Sequence, residues 1–140
     1  MNILILQGPN LNLLGVKSST IQKKITLNKL NKHIKNYSKT LNLNIKILQT
    51  HKEFQALNFL QRNRNWANRL MIIPTSWAKN NFTILETLHL INIKTASIYF
   101  NKKYSFGTSL NDSIFLSKNI KSFKGEPFKV CLDALTYLSC

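Results

Sequence analysis

Short apolar runs alternate along this chain with longer stretches whose apolar residues recur every three or four positions. Ile3 to Leu6 is a continuous apolar run, the pattern of a strand covered on both faces. Leu27, Leu30, Ile34, Tyr37 and Leu41 then fall on one helical stripe of about four turns. Ile45 to Leu48 predicts a second strand, and Phe54, Leu57 and Leu60 a second helix. Leu70 to Ile73 is a third short run, stopped by Pro74. Phe82, Leu85, Leu88 and His89 mark a helix over residues 80–91, Ala96 to Phe100 a fourth strand, and Phe128, Cys131, Leu132, Leu135 and Leu138 a closing helix. Strand and helix in alternation predict one α/β domain over residues 1–140: a doubly wound parallel sheet with helices on both faces. Ligands in such folds bind outside the carboxyl ends of the strands, which directs attention to residues 7–24, 49–54, 73–80 and 99–107.

Composition narrows the class. With 140 residues, 44% hydrophobic and 18% charged, the chain can build a core and is not a disordered tail. No apolar run approaches the ~18 residues of a membrane span. Met1 to Leu6 lacks the cation and the length of a signal peptide, so the expected location is cytoplasmic. The two cysteines, Cys131 and Cys140, form neither a disulfide framework nor a zinc motif, and no metal is expected.

The net charge of +15, from 20 Lys and Arg against 5 Asp and Glu, suggests a polyanion partner. Its distribution argues otherwise. Only Arg62, Arg64 and Arg69 carry the bidentate fork that specific phosphate and base recognition favours, and the lysines are scattered, not blocked. Abundant Lys, Asn, Ile, Phe and Tyr beside 4 Gly and 3 Pro is the signature of AT-rich coding. The charge is therefore read as compositional, and specific nucleic-acid binding is not expected.

The first ligand-side segment reads Gln7-Gly8-Pro9-Asn10-Leu11-Asn12-Leu13-Leu14-Gly15. It resembles the signature of the type II 3-dehydroquinate dehydratases, a short strand followed by Q-G-P-N-L-N-x-L-G. The resemblance continues through Thr26-Leu27, through Leu48 to Glu53 on F-Q-S-N-H-E, and through Ile72 to Trp77 on I-N-P-G-A-[YF]. Glu86-Thr87-Leu88 falls on D-A-L, Ile98 to Asn101 on V-H-[LI]-S, and Tyr104-Ser105, Ser113, Phe128 and Leu132 match further on. The resemblance implies a flavodoxin-like fold, a small carboxylate substrate, no cofactor, and a homo-oligomer of trimers packed into a dodecamer.

It also implies a chemistry: metal-free removal of water from 3-dehydroquinate through an enolate. A tyrosinate on a mobile loop, made acidic by an arginine, takes the proton, and a histidine protonates the leaving hydroxyl. On this pattern Asn10 is the retained amide donor and Lys17 stands at the arginine. Gln22 replaces the tyrosine, Ile73 an asparagine, Thr75 a glycine and Lys79 a histidine. Tyr99 takes the place of the acid, and Phe106 and Leu110 replace arginines. The expected catalytic residues are Asn10, Lys17 and Tyr99. Lys79, Glu86, Phe100 and Asn101 are the expected substrate contacts, with Glu86 at an aspartate that reaches a neighbouring subunit.

Plainer roles exist for the same side chains. Asn10 and Asn12 suit a turn or helix cap, and Glu53 suits a solvated helix N-terminus. Tyr99 closes an apolar run, as a core aromatic does. His33 and His89 lie within helical stripes, and His51 sits one place from the pattern's histidine. Losing the base and weakening the acid implies a slow enzyme, since each contributes about 10²–10⁴-fold. The alternative is an inactive relative kept for binding or assembly.

Overall fold

The apolar runs become the strands. A computed structural model describes residues 1–140, with β1 (Asn2–Gln7), β2 (Asn44–Gln49), β3 (Arg69–Ile73) and β4 (Lys94–Phe100) at the expected places. A fifth strand, β5 (Ile120–Gly125), is absent from the sequence reading. The sheet order is β2-β1-β3-β4-β5 and every neighbouring pair is parallel, the flavodoxin-like order that the resemblance implies. β5 escapes the hydrophobic pattern because only Ile120 and Phe123 of its six residues are large and apolar; it is an edge strand with Lys121 and Lys124 exposed and only β4 beside it. Lysines on an open edge discourage further strand pairing.

Four helices lie between strands, α1 (Leu14–Lys17), α2 (Leu27–Thr40), α3 (Glu53–Arg62) and α4 (Phe82–Ile91), and α5 (Pro127–Leu138) follows β5. Their starts are written locally. The Thr26 hydroxyl accepts the Lys29 N–H at 3.2 Å, the Asn81 amide oxygen accepts the Ile84 N–H at 3.0 Å, and the Glu126 carboxylate accepts the Lys129 N–H at 3.1 Å. Pro127 occupies the first turn of α5, where its missing N–H costs nothing. α2 and α4 are followed by Asn42 and Asn92 in the left-handed region, the residue type after glycine that best tolerates it.

Two apolar layers sandwich the sheet. Ile3, Ile5, Met71, Ile73, Ala96 and Ile98 pack under α2 and α5, whose buried residues include Leu30, Ile34, Ala134 and Leu135. Leu4, Leu6, Leu70 and Ile72 pack on the other face against Ala56 and Leu60 of α3 and Ile84 and Leu88 of α4. Alternate residues of one strand thus serve different layers, which is why the strands are apolar throughout instead of alternating.

Candidate active site

The strand order reverses between β1 and β3, so the crevice for a ligand opens where their carboxyl ends part. The chain there is tightly constrained. Gly8 N–H donates to Ile73 O at 2.8 Å, extending the β1–β3 ladder, and a Cβ on Gly8 would lie 2.4 Å from Pro74 O. No other residue fits that approach. Two residues on, Asn10 turns into the left-handed region (φ 67°) and its N–H donates to His51 Nδ1 at 3.1 Å. His51 thus meets Asn10 as an acceptor through Nδ1.

Thr75, where the family pattern has glycine, also adopts a left-handed backbone (φ 50°). For a β-branched residue this costs of order 1–3 kcal/mol. Its hydroxyl, 2.8 Å from Pro9 O and 2.7 Å from Pro74 O, offsets part of that cost and ties the β1 and β3 exits together. The segment after β4 folds down onto the same spot. Thr108 N–H donates to Thr75 O at 3.2 Å, and Gly107 (φ 73°) sits so close that a Cβ there would be 2.8 Å from the Thr75 carbonyl carbon.

The loop over residues 18–24 is held at its neck and at its tip. Buried Ser18 accepts the Ile25 N–H at 3.0 Å, with its own hydroxyl 2.9 Å from both Leu14 O and Ile25 O. Tyr104 Oη donates to Lys23 O at 2.6 Å. Burial, and secondarily the Glu126 carboxylate, hold the Tyr104 phenol above its usual range, so it stays a neutral donor. Gln22 is exposed on this loop.

These constraints leave an open pocket of about 290 Å³ lined by Asn10, Leu13, Val16, Lys17 and Phe106. Asn10 and Lys17, both expected at the site, are therefore brought together. Behind Phe106 is a nearly filled space of about 10 Å³ that Thr75, Tyr99, Phe100 and Thr108 also border. Phe106 is thus the partition between the open pocket and Tyr99.

Tyr99 is buried, 4% exposed, and belongs to the α3/α4 layer beside Phe115. Its hydroxyl accepts from Ser97 Oγ at 3.0 Å and lies 2.5 Å from Ser113 Oγ, which in turn accepts the Phe115 N–H at 3.0 Å. Phe100, the next residue, packs in the opposite layer. Asn101 is half-buried and its N–H donates to Gly125 O at 3.0 Å. Lys79 is exposed at the end of the short helical turn Thr75–Ala78. Glu86 is exposed on α4 and takes part in neither ion pair of the chain. Lys79, Glu86 and Asn101 line neither of the two spaces beside Phe106.

Two members of the site stand outside the expected set. His51 meets Asn10 through the backbone, and the β1–β2 register, Gln7 opposite Gln49, is the signal that brings the two loops side by side. The sequence reads Phe106 only as the replacement of an arginine, and its place as a pocket wall follows from the segment after β4 folding back over β3. Of the remaining histidines, His33 stacks on Phe128 between α2 and α5 (ring centroids 3.9 Å apart), and His89 is exposed on α4.

Comparison with known proteins bears on the family and the fold. The family model described as Dehydroquinase class II matches residues 1–135. A 3-dehydroquinate dehydratase of Clostridium botulinum is 31% identical over 103 residues, 74% of this chain and 70% of the relative. One from Buchnera aphidicola is 31% identical over 105 residues, covering 75% and 70%. The crystal structure of a type II dehydroquinase from Butyrivibrio crossotus superposes with a TM-score of 0.80 at 21% identity, covering 100% of this chain and 98% of that one. The Propionibacterium acnes type II dehydroquinase gives 0.77 at 20% identity, covering 99% and 95%.

Proposed function

The chain belongs to the class II dehydroquinase family, and from that premise we propose that it is a hydro-lyase of the shikimate route converting 3-dehydroquinate to 3-dehydroshikimate and water, at a reduced rate. The observation that carries the reading is the family match across residues 1–135, with Asn10 and Lys17 facing one pocket at the strand-order reversal. Elimination needs a proton taken from the carbon beside the ketone, an enolate held while it forms, and a proton given to the departing hydroxyl. The Asn10 amide donates to the enolate oxygen, and the Lys17 ammonium supplies the charge that holds the anionic substrate. Gln22 cannot accept the proton as a base, so the proton passes to a water, or to the neutral amine of Lys17 or Lys79, and from there to bulk solvent.

Tyr99 protonates the leaving hydroxyl. It reaches a substrate in the open pocket only when Phe106 and Thr108 move off it, because the space between is filled. A phenol with a reference pKa near 10 is also a slower donor than imidazole at neutral pH. Both features support a slow enzyme. We place Lys79, Phe100 and Asn101 as substrate contacts in that opened state. Glu86, exposed and unpaired on α4, is assigned to contact a neighbouring subunit in a homo-oligomer of trimers packed into a dodecamer. No helix is long and apolar enough to cross a membrane, and two free cysteines suit a reducing cytoplasm.

The test is growth of the conjugated enone absorbance when purified protein meets 3-dehydroquinate, beside Asn10→Ala and Tyr99→Phe. Turnover that falls at least a hundredfold in both variants is expected. No turnover at high enzyme concentration would overturn the reading. That result would select a second one, an inactive binding or assembly protein, which the apolar walls Leu13, Val16 and Phe106 favour.

A further inference from the structure

Cations dispersed along the sequence are gathered by the fold at the amino end of the sheet, opposite the candidate active site. Four of the five strands carry one within their first three residues: Lys46 in β2, Arg69 in β3, Lys94 in β4 and Lys121 in β5. Arg62 and Arg64 stand where α3 leads into β3, so all three arginines of the chain lie at this end. No side-chain carboxylate does. Of the five, Glu53, Asp112 and Glu126 follow the carboxyl ends of β2, β4 and β5, and Glu86 and Asp133 sit midway along α4 and α5. The chain's two ion pairs, Lys23–Glu126 and Lys129–Asp133, use none of these cations.

Aromatic rings hold the ammonium groups. Lys94 Nζ lies 4.2 Å and Lys121 Nζ 4.7 Å from the centroid of the Tyr137 ring, and Lys121 Nζ also lies 5.4 Å from that of Phe123. Lys46 Nζ lies 4.2 Å over Trp66 and donates to Asn63 Oδ1 at 3.0 Å. Ring faces fix where these charges stand without neutralising them. Like charges are meanwhile crowded: Arg69 is opposite Lys94 in the β3–β4 register, and Lys94 and Lys121 share one ring. Cations side by side cost stability that a bound polyanion restores. We propose that this end of the sheet docks single-stranded nucleic acid through its phosphates, without reading sequence. Exposed Arg62 and Arg64 add planar forks that match phosphate oxygens. Arg69, Lys94 and Lys121 project on the α2/α5 side, as Met71, Ala96 and Phe123 do, and Lys46 projects on the α3/α4 side with Trp66. A ligand that meets both groups bends across the end of the sheet. A single strand does so, and a duplex, stiff over about 150 base pairs, does not. The inference is independent of the dehydratase reading, whose site lies at the other ends of the strands.

Fluorescence anisotropy of a short labelled RNA of mixed sequence, titrated with the full chain at several salt concentrations, tests it. Contact with about four phosphates predicts a slope of log K against log salt of about −3. Lys94→Gln with Lys121→Gln, and separately Arg62→Gln with Arg64→Gln, should each weaken binding roughly tenfold and flatten the slope by about 1.4. Arg62 and Arg64 are exposed, so the second pair reads the surface without touching half-buried Lys94. Lys52→Gln with Lys103→Gln removes the same charge from exposed positions at the opposite end, and should change affinity by less than about twofold. A DNA strand of the same length should bind like the RNA, and a duplex more weakly. Equal weakening by all three pairs would mean that net charge alone attracts the RNA, and overturns the inference. So does a duplex bound as tightly as the strand, or tighter binding to phosphatidylserine vesicles than to the strand.

Discussion

Replacing Tyr99 by phenylalanine separates a chemical role from an architectural one, because the structure assigns a magnitude to each. Tyr99 is 4% exposed and its hydroxyl joins Ser97, at 3.0 Å, to Ser113, at 2.5 Å. The ring itself is conserved by the change, so no cavity of consequence opens. What is lost is one hydroxyl between two others, leaving the Ser97 donor buried and without a partner. Ser113 keeps the Phe115 N–H as one partner. An orphaned buried donor costs about 1–3 kcal/mol, so Tyr99→Phe should destabilise the chain by about 2 kcal/mol. For a domain of this size that lowers Tm by about 5–10 °C. Restoring balance by removing the stranded donor as well, in Tyr99→Phe with Ser97→Ala, should recover about half of the loss. Urea unfolding of the three proteins measures this directly. The chemical role is read on the folded fraction: enone formation per folded molecule should fall by about 10²–10⁴ in Tyr99→Phe. If turnover per folded molecule is unchanged while stability drops, Tyr99 is a core residue and not the acid. If stability is also unchanged, the buried three-hydroxyl arrangement itself is refuted.

Gly107→Ala forces a Cβ to 2.8 Å from the Thr75 carbonyl carbon at a φ of 73°, and thermal unfolding should show a loss of at least 2 kcal/mol. Thr26→Ala removes the cap of α2 and should cost about 1 kcal/mol in urea unfolding, with turnover unchanged. Burial, with Glu126 adding to it, raises the Tyr104 phenol above 10.0 in the folded chain only. The unfolded phenol therefore loses its proton first, so this contribution is whole below about pH 10 and is lost as pH rises through the higher folded value. Tyr104→Phe should flatten that alkaline fall in a stability-against-pH series. The Cys131 thiol is pushed far up by burial, with Glu126 contributing, so a thiol reagent should titrate exposed Cys140 at once and Cys131 only on unfolding.

The three inner strands were legible because a strand covered by helices on both faces is largely apolar, and Ile3 to Leu6 or Leu70 to Ile73 have few other uses. Of the two edge strands, β2 still showed through Ile45, Ile47 and Leu48, whereas β5 has only Ile120 and Phe123 as large apolar residues and is defined by the β4 backbone it pairs with. The four longer helices followed from their stripes, while α1 and the caps at Asn81 and Glu126 are absent from the sequence reading, although those caps are short-range features. The same division runs through the site. Asn10 and Lys17 share a pocket because they are seven residues apart on one connection, and a contiguous motif carries such local geometry. Which layer Tyr99 enters is invisible in an apolar run, because both faces of the sheet are dry. Only the side on which α3, α4 and the segment of Phe115 pack decides it.

Thr75 shows how far a substitution in the sequence can mislead about the backbone. Glycine at this position would supply the left-handed turn without strain, and threonine is among the least suited replacements. Yet the turn is kept, because its hydroxyl finds Pro9 O and Pro74 O and the Gly107 backbone packs onto it from above. The conformation is over-determined by neighbours from β1, β3 and the segment after β4, which is how a local cost of a few kcal/mol is absorbed. The consequence reaches the chemistry. The contacts that hold Thr75 in place also seat residues 106–108 over the β3 end, and thereby interpose Phe106 between the open pocket and Tyr99. Thr75→Gly therefore relieves strain and loosens that partition together. It should raise turnover relative to the parent chain while leaving stability within about 1 kcal/mol, the released strain offsetting the lost hydroxyl contact and the added chain entropy. Enone formation and urea unfolding on one preparation decide it. A Thr75→Gly protein with unchanged turnover would show that the Phe106 partition does not limit the reaction.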